Sequence, residues 1–309
     1  MLCKKDHITT YVGEVVQFDM AQDRYSALWV SHSRINDFVI CPRGYYIKYL
    51  YRNPKTGHKM KLMTPPLALG QIVHDVLDSL KELPVKERFK VSLIGKLHDL
   101  WGKIEGKKGG FLDSSIEQQY KTRAEEMILR IMKNPGPLGR LAVRLKMELP
   151  YFWLSKEKNI ILSGKIDWME YLPDTDSIHI IDFKTSKNEE NDSSLQLPIY
   201  YILAKRCQTR HIARMSYWYL GREEGIIDKQ LPDEEEILNG LIDKALEIQL
   251  ATKLGRFKCK QTIGGCHLCK PYELLLKGEG EFVGVNSYKE DIYVLDSASS
   301  NESNESEIL

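Results

Sequence analysis

The chain has 309 residues, 42% of them hydrophobic and 28% charged, an ordinary globular composition with room for one large domain carrying insertions or two modest ones. The formal net charge of +1 excludes a global basic field, so any nucleic-acid surface must be a local patch. The N-terminus Met-Leu-Cys-Lys-Lys-Asp-His lacks the apolar stretch of a secretory signal, and no apolar run approaches the roughly 18 residues of a membrane span. The expectation is a soluble cytoplasmic protein without membrane contact.

Residues 1–30 form a lead-in of weak periodicity. Ser31 then offers an N-cap ahead of Ile35, Phe38 and Val39 at helical spacing; Pro42 interrupts, and Tyr45, Tyr46, Tyr49 and Leu50 resume the pattern. Residues 53–64 read as a basic loop punctuated by Gly and Pro, and Leu67 to Leu80 as a helix carrying Gly70 and His74. Two charged amphipathic segments at about 84–135, broken at Gly109-Gly110 and closed by Pro-Gly-Pro, predict a helical insertion. The period then changes. Arg144 to Leu154, Ile160 to Tyr171 and Ile178 to Phe183 read as three strands of an antiparallel meander. A helix from about Leu195 to Lys205, an apolar strand from Ser216 to Leu220 and a long amphipathic helix from Asp233 to Lys253 follow. A single domain over 31–295 is expected, with a cysteine-containing segment at 257–275 and a disordered Ser-, Asn- and Glu-rich tail at 296–309.

Side chains alternate faces along a strand, so Lys165 and Asp167 point one way, and Asp182 and Lys184 share a face in Ile-Ile-Asp-Phe-Lys-Thr-Ser. Alone, an Asp-x-Lys is a strand-end turn with a solvated lysine. Here the strand before it is apolar, and its hairpin partner supplies Asp167 in a register that can bring the two carboxylates together. Carboxylates that close repel unless they share a proton or a cation, and hard divalent ions such as Mg²⁺ prefer oxygen donors. Gln196 and Tyr200, spaced i, i+4, share one face of the next helix, and Pro198 is tolerated there if the helix begins near Ser194. His74 is the third element, in Leu-Gly-Gln-Ile-Val-His-Asp-Val-Leu, although a single histidine on such a helix commonly sits at the core boundary.

In this order the pieces resemble the RecB-type branch of the PD-(D/E)XK nuclease superfamily, which includes CRISPR-associated exonucleases. The carriers are Ser-x-Ser with Cys41-Pro42 and Tyr45, Leu69-Gly70 with His74, Gly164-Lys165-Ile166-Asp167, Ile181-Asp182-Phe183-Lys184-Thr185 and Gln196-Leu-Pro-Ile-Tyr200, over roughly residues 31 to 275. The resemblance implies a restriction-endonuclease-like α/β core, a mixed sheet with an antiparallel meander flanked by helices. It also implies that His74, Asp167, Asp182 and the carbonyl of Phe183 ligate Mg²⁺ or Mn²⁺. Lys184 would position the attacking water, Gln196 and Tyr200 would support the strand and the lysine, and Glu148 would contribute a further acid. The implied reaction is hydrolysis of DNA phosphodiesters, commonly by an exonuclease on single strands or ends, in repair, recombination or CRISPR-type processing. The alternative is a catalytically inactive DNA-binding accessory subunit that keeps the fold. No phosphate-loop sequence of helicase type is present, so unwinding would fall to a helicase or another repair partner.

Four of the six cysteines could form one site: Cys41, Cys259, Cys266 and Cys269 supply enough thiolates for a [4Fe–4S] cluster or a tetrahedral zinc. Relatives place a Cys-x-x-Cys before a further cysteine. In this chain Cys259 precedes the Cys266-x-x-Cys269 pair and nothing follows it, so a cluster, a zinc and no metal all stay open.

Overall fold

The computed structural model describes residues 23–147, 149–223, 225–261 and 264–296; Glu148, most of the lead-in and nearly all of the expected tail lie outside the described residues. β1 (Leu28–Val30) leads into α1 (His32–Ile40), whose N-cap Ser31 accepts the Arg34 N–H, and Pro42 starts the short α2 (Pro42–Tyr45). The basic loop at 53–64 contains a strand, β2 (Lys59–Leu62), that periodicity did not reveal: it is four residues long and half lysine. Helix α3 (Pro65–Asp78) carries His74, and the segment expected as a helical insertion contains α4 (Leu93–Trp101) and α5 (Ser114–Lys133).

The expected meander is divided between two sheets. β3 (Tyr151–Ser155) and β4 (Ile160–Ser163) pair antiparallel, and β4 joins β1 in parallel. The chain then leaves the ladder at Gly164 and re-enters a second sheet as β5 (Trp168–Leu172), antiparallel to β6 (Ser177–Lys184). Gly164 explains the break. An added Cβ there would stand 2.9 Å from Leu203 Cδ1 and 3.3 Å from Tyr200 Cε1, so only glycine lets the backbone cross so near the following helix, α6 (Gln196–Cys207). β7 (His211–Tyr219) runs parallel to β6, and β8 (Ile226–Lys229) closes the order β5-β6-β7-β8. After α7 (Glu234–Leu254) and α8 (Lys270–Leu276), β9 (Glu281–Val285) and β10 (Glu290–Val294) extend the described chain, and β10 pairs with both β2 and β9.

The central sheet is covered on both faces. Ile181, Phe183, Trp168 and Trp218 pack against Leu69 and Val73 of α3, Leu97 of α4 and Ile128 of α5. Ile178, Ile180 and Tyr217 pack against Ile199 and Leu203 of α6 and Leu241 and Ile248 of α7. Burying each such side chain contributes about 1.5–3 kcal/mol. A polar row, Glu170–His179–Ser216–Asp228, crosses the sheet through contacts of 3.0, 2.6 and 2.6 Å. Its first three members are 1% exposed or less, which denies substrate access and makes the row a device that registers the strands. No helix among the described residues is long and apolar enough to cross a membrane.

Candidate active site

Trp168 lies opposite Ile181 across the β5–β6 ladder, so Asp167, one residue before β5, comes level with Asp182. Asp167 Oδ2 accepts the Phe183 N–H at 2.9 Å, and its Oδ1 stands 3.2 Å from Nδ1 of His74, which reaches over from α3. Lys184 continues the face of Asp182. Its Nζ donates to Gln196 Oε1 at 2.5 Å and lies 3.1 Å from both Asp182 Oδ2 and Glu190 Oε1. Gln196 occupies the first turn of α6, with Pro198 in the same turn. Its Nε2 donates to Asp182 Oδ1 at 2.8 Å and to the Tyr200 hydroxyl at 3.3 Å. One amide orientation satisfies all three contacts; the flipped one would aim an NH₂ at the lysine ammonium. These side chains line an open cavity of about 270 Å³.

The electrostatics follow from burial and proximity. Burial and the neighbouring Asp167 push Asp182 from 3.8 up to about 8. Burial works the same way on Asp167, but His74 and the Phe183 N–H outweigh it and hold the carboxyl below the usual range. Burial disfavours a charged His74, yet Asp167 and Asp182 raise its pKa; burial likewise opposes a charged Lys184, which Asp182 and Glu190 raise in turn. Asp182 Oδ2 is buried without a hydrogen bond, because the Lys184 ammonium lies at ion-pair distance but off hydrogen-bonding geometry. Two repelling buried carboxylates, one with an oxygen that accepts no hydrogen bond, beside an imidazole make a donor set that fits a divalent cation.

The structure thus brings together all seven residues expected from the sequence for this site: His74, Asp167, Asp182, Phe183, Lys184, Gln196 and Tyr200. Sequence reasoning missed one more. Glu190 pairs with Lys184, and its N–H donates to the Tyr219 hydroxyl at 2.8 Å; its only sequence signal was an acidic run after the lysine.

The cysteines converge apart from this cavity. Sγ atoms of Cys41, Cys259, Cys266 and Cys269 all lie within 4.8 Å of one another. Backbone N–H groups point at three of the sulfurs: Gly44 at Cys41 (3.3 Å), Gln261 at Cys259 (3.4 Å) and Cys266 at Cys269 (3.3 Å). Gly265 sits at φ +77° where an added Cβ would stand 2.9 Å from Cys269 Sγ, so the backbone folds tightly around the thiols. Burial pushes the Cys41 thiol up to about 11 and raises Cys269 further, so these groups ionise readily only beside a cation. Four convergent sulfurs with N–H support fit a metal centre.

Two curated relatives are subunits of ATP-dependent helicase/deoxyribonucleases. The protein from Clostridium novyi (strain NT) is 28% identical over 258 residues, 75% of this chain and 21% of the relative. That from Clostridium tetani (strain Massachusetts / E88) is 29% identical over 217 residues, 62% of this chain and 18% of the relative. The chain therefore spans about a fifth of the length of these relatives. A solved structure of a candidate exonuclease from Eubacterium rectale aligns with a TM-score of 0.47 and 15% identity, over 84% of this chain and 94% of that one. The family model of the PD-(D/E)XK nuclease superfamily matches residues 29–272. With that match spanning the whole of the candidate site, this chain belongs to the PD-(D/E)XK nuclease superfamily.

Proposed function

We propose that the chain hydrolyses DNA phosphodiester bonds with Mg²⁺ or Mn²⁺, acting as an exonuclease on single strands or free ends. The observation that carries this reading is the buried Asp167–Asp182 pair, with an Asp182 oxygen that accepts no hydrogen bond, beside a lysine pinned by three partners. His74, Asp167, Asp182 and the Phe183 carbonyl would hold the cation. When bound, the cation supplies charge compensation and Lewis-acid polarisation of the phosphate. Lys184 is kept protonated by its carboxylate neighbours, which makes it a donor rather than a base: it orients the attacking water and offsets charge growing on the phosphate oxygens. Gln196 holds Lys184 and Asp182 in fixed relation, and the Tyr200 hydroxyl supports the amide from below. The relatives' description as helicase/deoxyribonuclease subunits supports DNA as substrate and a helicase as partner.

The purified chain is expected to degrade single-stranded DNA with Mg²⁺ or Mn²⁺ and to stop doing so when EDTA is added. Binding of DNA without cleavage under either ion would instead favour an accessory subunit that retained the fold. Release of nucleotides from linear but not circular single strands identifies the exonuclease mode.

For the cysteine site we infer a single zinc rather than an iron–sulfur cluster. A tetrahedral ion with metal–sulfur bonds of about 2.3 Å spaces its sulfurs roughly 3.8 Å apart. Cys266 Sγ and Cys269 Sγ are 3.8 Å apart, and all four sulfurs fall within 4.8 Å. A [4Fe–4S] core interposes four irons and holds its thiolates wider.

A further inference from the structure

We infer that the cleft between α5 and the loop after β6 binds the phosphodiester backbone of a single DNA strand on one side of the scissile bond. This rests on the reading of the site as a DNA nuclease.

The cleft is a cavity of about 360 Å³ that shares Thr185 and Ser186 with the catalytic cavity, so a strand leaving one enters the other. Arg123 and Arg130 enter it from α5, Lys187 from the loop and Arg222 from the turn between β7 and β8. Against these four cations the described lining offers one carboxylate, the exposed Glu126. The chain as a whole is nearly neutral at +1, so this local excess needs a reason.

A structural role accounts for part of each arginine. Arg123 donates to Thr185 O at 3.4 Å, Arg130 to Leu220 O at 2.8 Å and Arg222 to Lys187 O at 2.8 Å. A guanidinium carries five N–H donors in a rigid fork, and these hydrogen bonds use few of them while fixing where the remainder point. Arg222 also pairs with Glu189 at 2.7 Å, but that carboxylate is about half exposed, and such pairs are weak enough for a phosphate to displace. Lys187 makes no side-chain contact among the described residues and is exposed, so its charge serves no fold.

The opposite flank of the site provides the contrast. A cavity of about 370 Å³ shares Asp167 with the catalytic one and also contains cations. There, however, Lys81 and Lys165 share Asp78, Arg144 pairs with Glu82 and Asp167 adds a third carboxylate, so four cations, Lys146 included, face three carboxylates. An excess of one cation there against three in the α5 cleft gives the weaker field for a polyanion, so the strand continues on the α5 side. Phosphate contacts of this kind position a strand without reading its sequence.

The test uses the full chain and a fluorescein-labelled single-stranded oligonucleotide in EDTA, where nothing is cut, with anisotropy followed across salt concentration. Each phosphate that is no longer neutralised lowers the slope of log K against log salt by about 0.7 for a single strand. Arg123→Gln with Arg222→Gln is expected to lower it by about twice that. Lys187→Glu, at an exposed side chain without a contact among the described residues, is expected to weaken binding and lower the slope as well. A slope unchanged in both variants, while the parent binds and cleaves the oligonucleotide, overturns the cleft and leaves the nuclease reading standing. A lowered melting temperature without a lowered slope makes the arginines structural only, which also overturns it. A parent that neither binds nor cleaves DNA overturns the nuclease reading and the cleft with it.

Discussion

At the scale of single residues the site is defined by opposing charges held in a buried place. Asp182 is the clearest case, because its carboxyl is raised to about 8 by burial and by Asp167. Between the ordinary carboxylate range and pH 8 the folded chain therefore holds a proton that the unfolded chain releases. Cation-free stability falls as pH rises across that window, and the raised pKa of His74 adds in the same direction around neutrality. The lowered Asp167 acts only below the window. Asp182→Asn is expected to abolish cleavage and yet flatten the fall of melting temperature between pH 5 and 8 in EDTA. Parallel profiles for variant and parent would refute the assignment of that proton to Asp182. Lys184→Ala removes the pinned ammonium, and kcat on single-stranded DNA is expected to fall by about 10²–10³. Circular dichroism should remain that of the parent; wild-type turnover in this variant would remove Lys184 from the mechanism.

At the scale of elements, the site depends on where strands end. β4 stops at Ser163 because Gly164 has to slide beneath Leu203 and Tyr200, and the chain re-enters a different sheet with Asp167 already level with Asp182. Gly164→Ala places a methyl within 2.9 Å of Leu203 Cδ1, whose side chain is fully buried. Overpacking of this kind costs about 1–3 kcal/mol. The displaced neighbour is α6, which carries Gln196 and Tyr200, so both denaturant midpoint and kcat are expected to drop; a variant matching the parent in both would show that the strand break has another cause. Helix α6 also shows why a helix start suits this role: Gln196 in its first turn has a side chain free to bridge Asp182 and Lys184 rather than pack into the core.

At the scale of the whole molecule, the cysteines join distant parts of the chain. Cys41 lies between α1 and α2, while Cys259, Cys266 and Cys269 precede or begin α8, so one ion would tie the first helices to the far end of the domain. The Arg43–Glu273 ion pair at 2.5 Å crosses the same junction. Elemental analysis of the purified chain is expected to find one zinc per chain; iron with absorbance near 400 nm would refute zinc in favour of a cluster. Cys41→Ser is expected to lose the ion and lower the melting temperature, since a structural metal binds the folded state alone. The helices on the other face of the sheet play a separate part, with α3 supplying His74 to the candidate site and α5 walling the cleft beside it.

Much of this was legible in the residues themselves. Helices announced themselves through 3.6-residue periodicity and caps such as Ser31, and the Asp167, Asp182–Lys184 and Gln196–Tyr200 spacings named the site, because side-chain direction along a strand or helix is a local property. Pairing is not local. That the three expected strands belong to two sheets, that β2 and β10 lie side by side across more than half the chain, and that Glu190 joins Lys184 were decided by tertiary packing. The same holds for the charges: the sequence names every carboxylate and cation, but only burial and distance determine that Asp182 holds its proton, that Lys81 and Lys165 share Asp78, and that the arginines of α5 keep donors to spare.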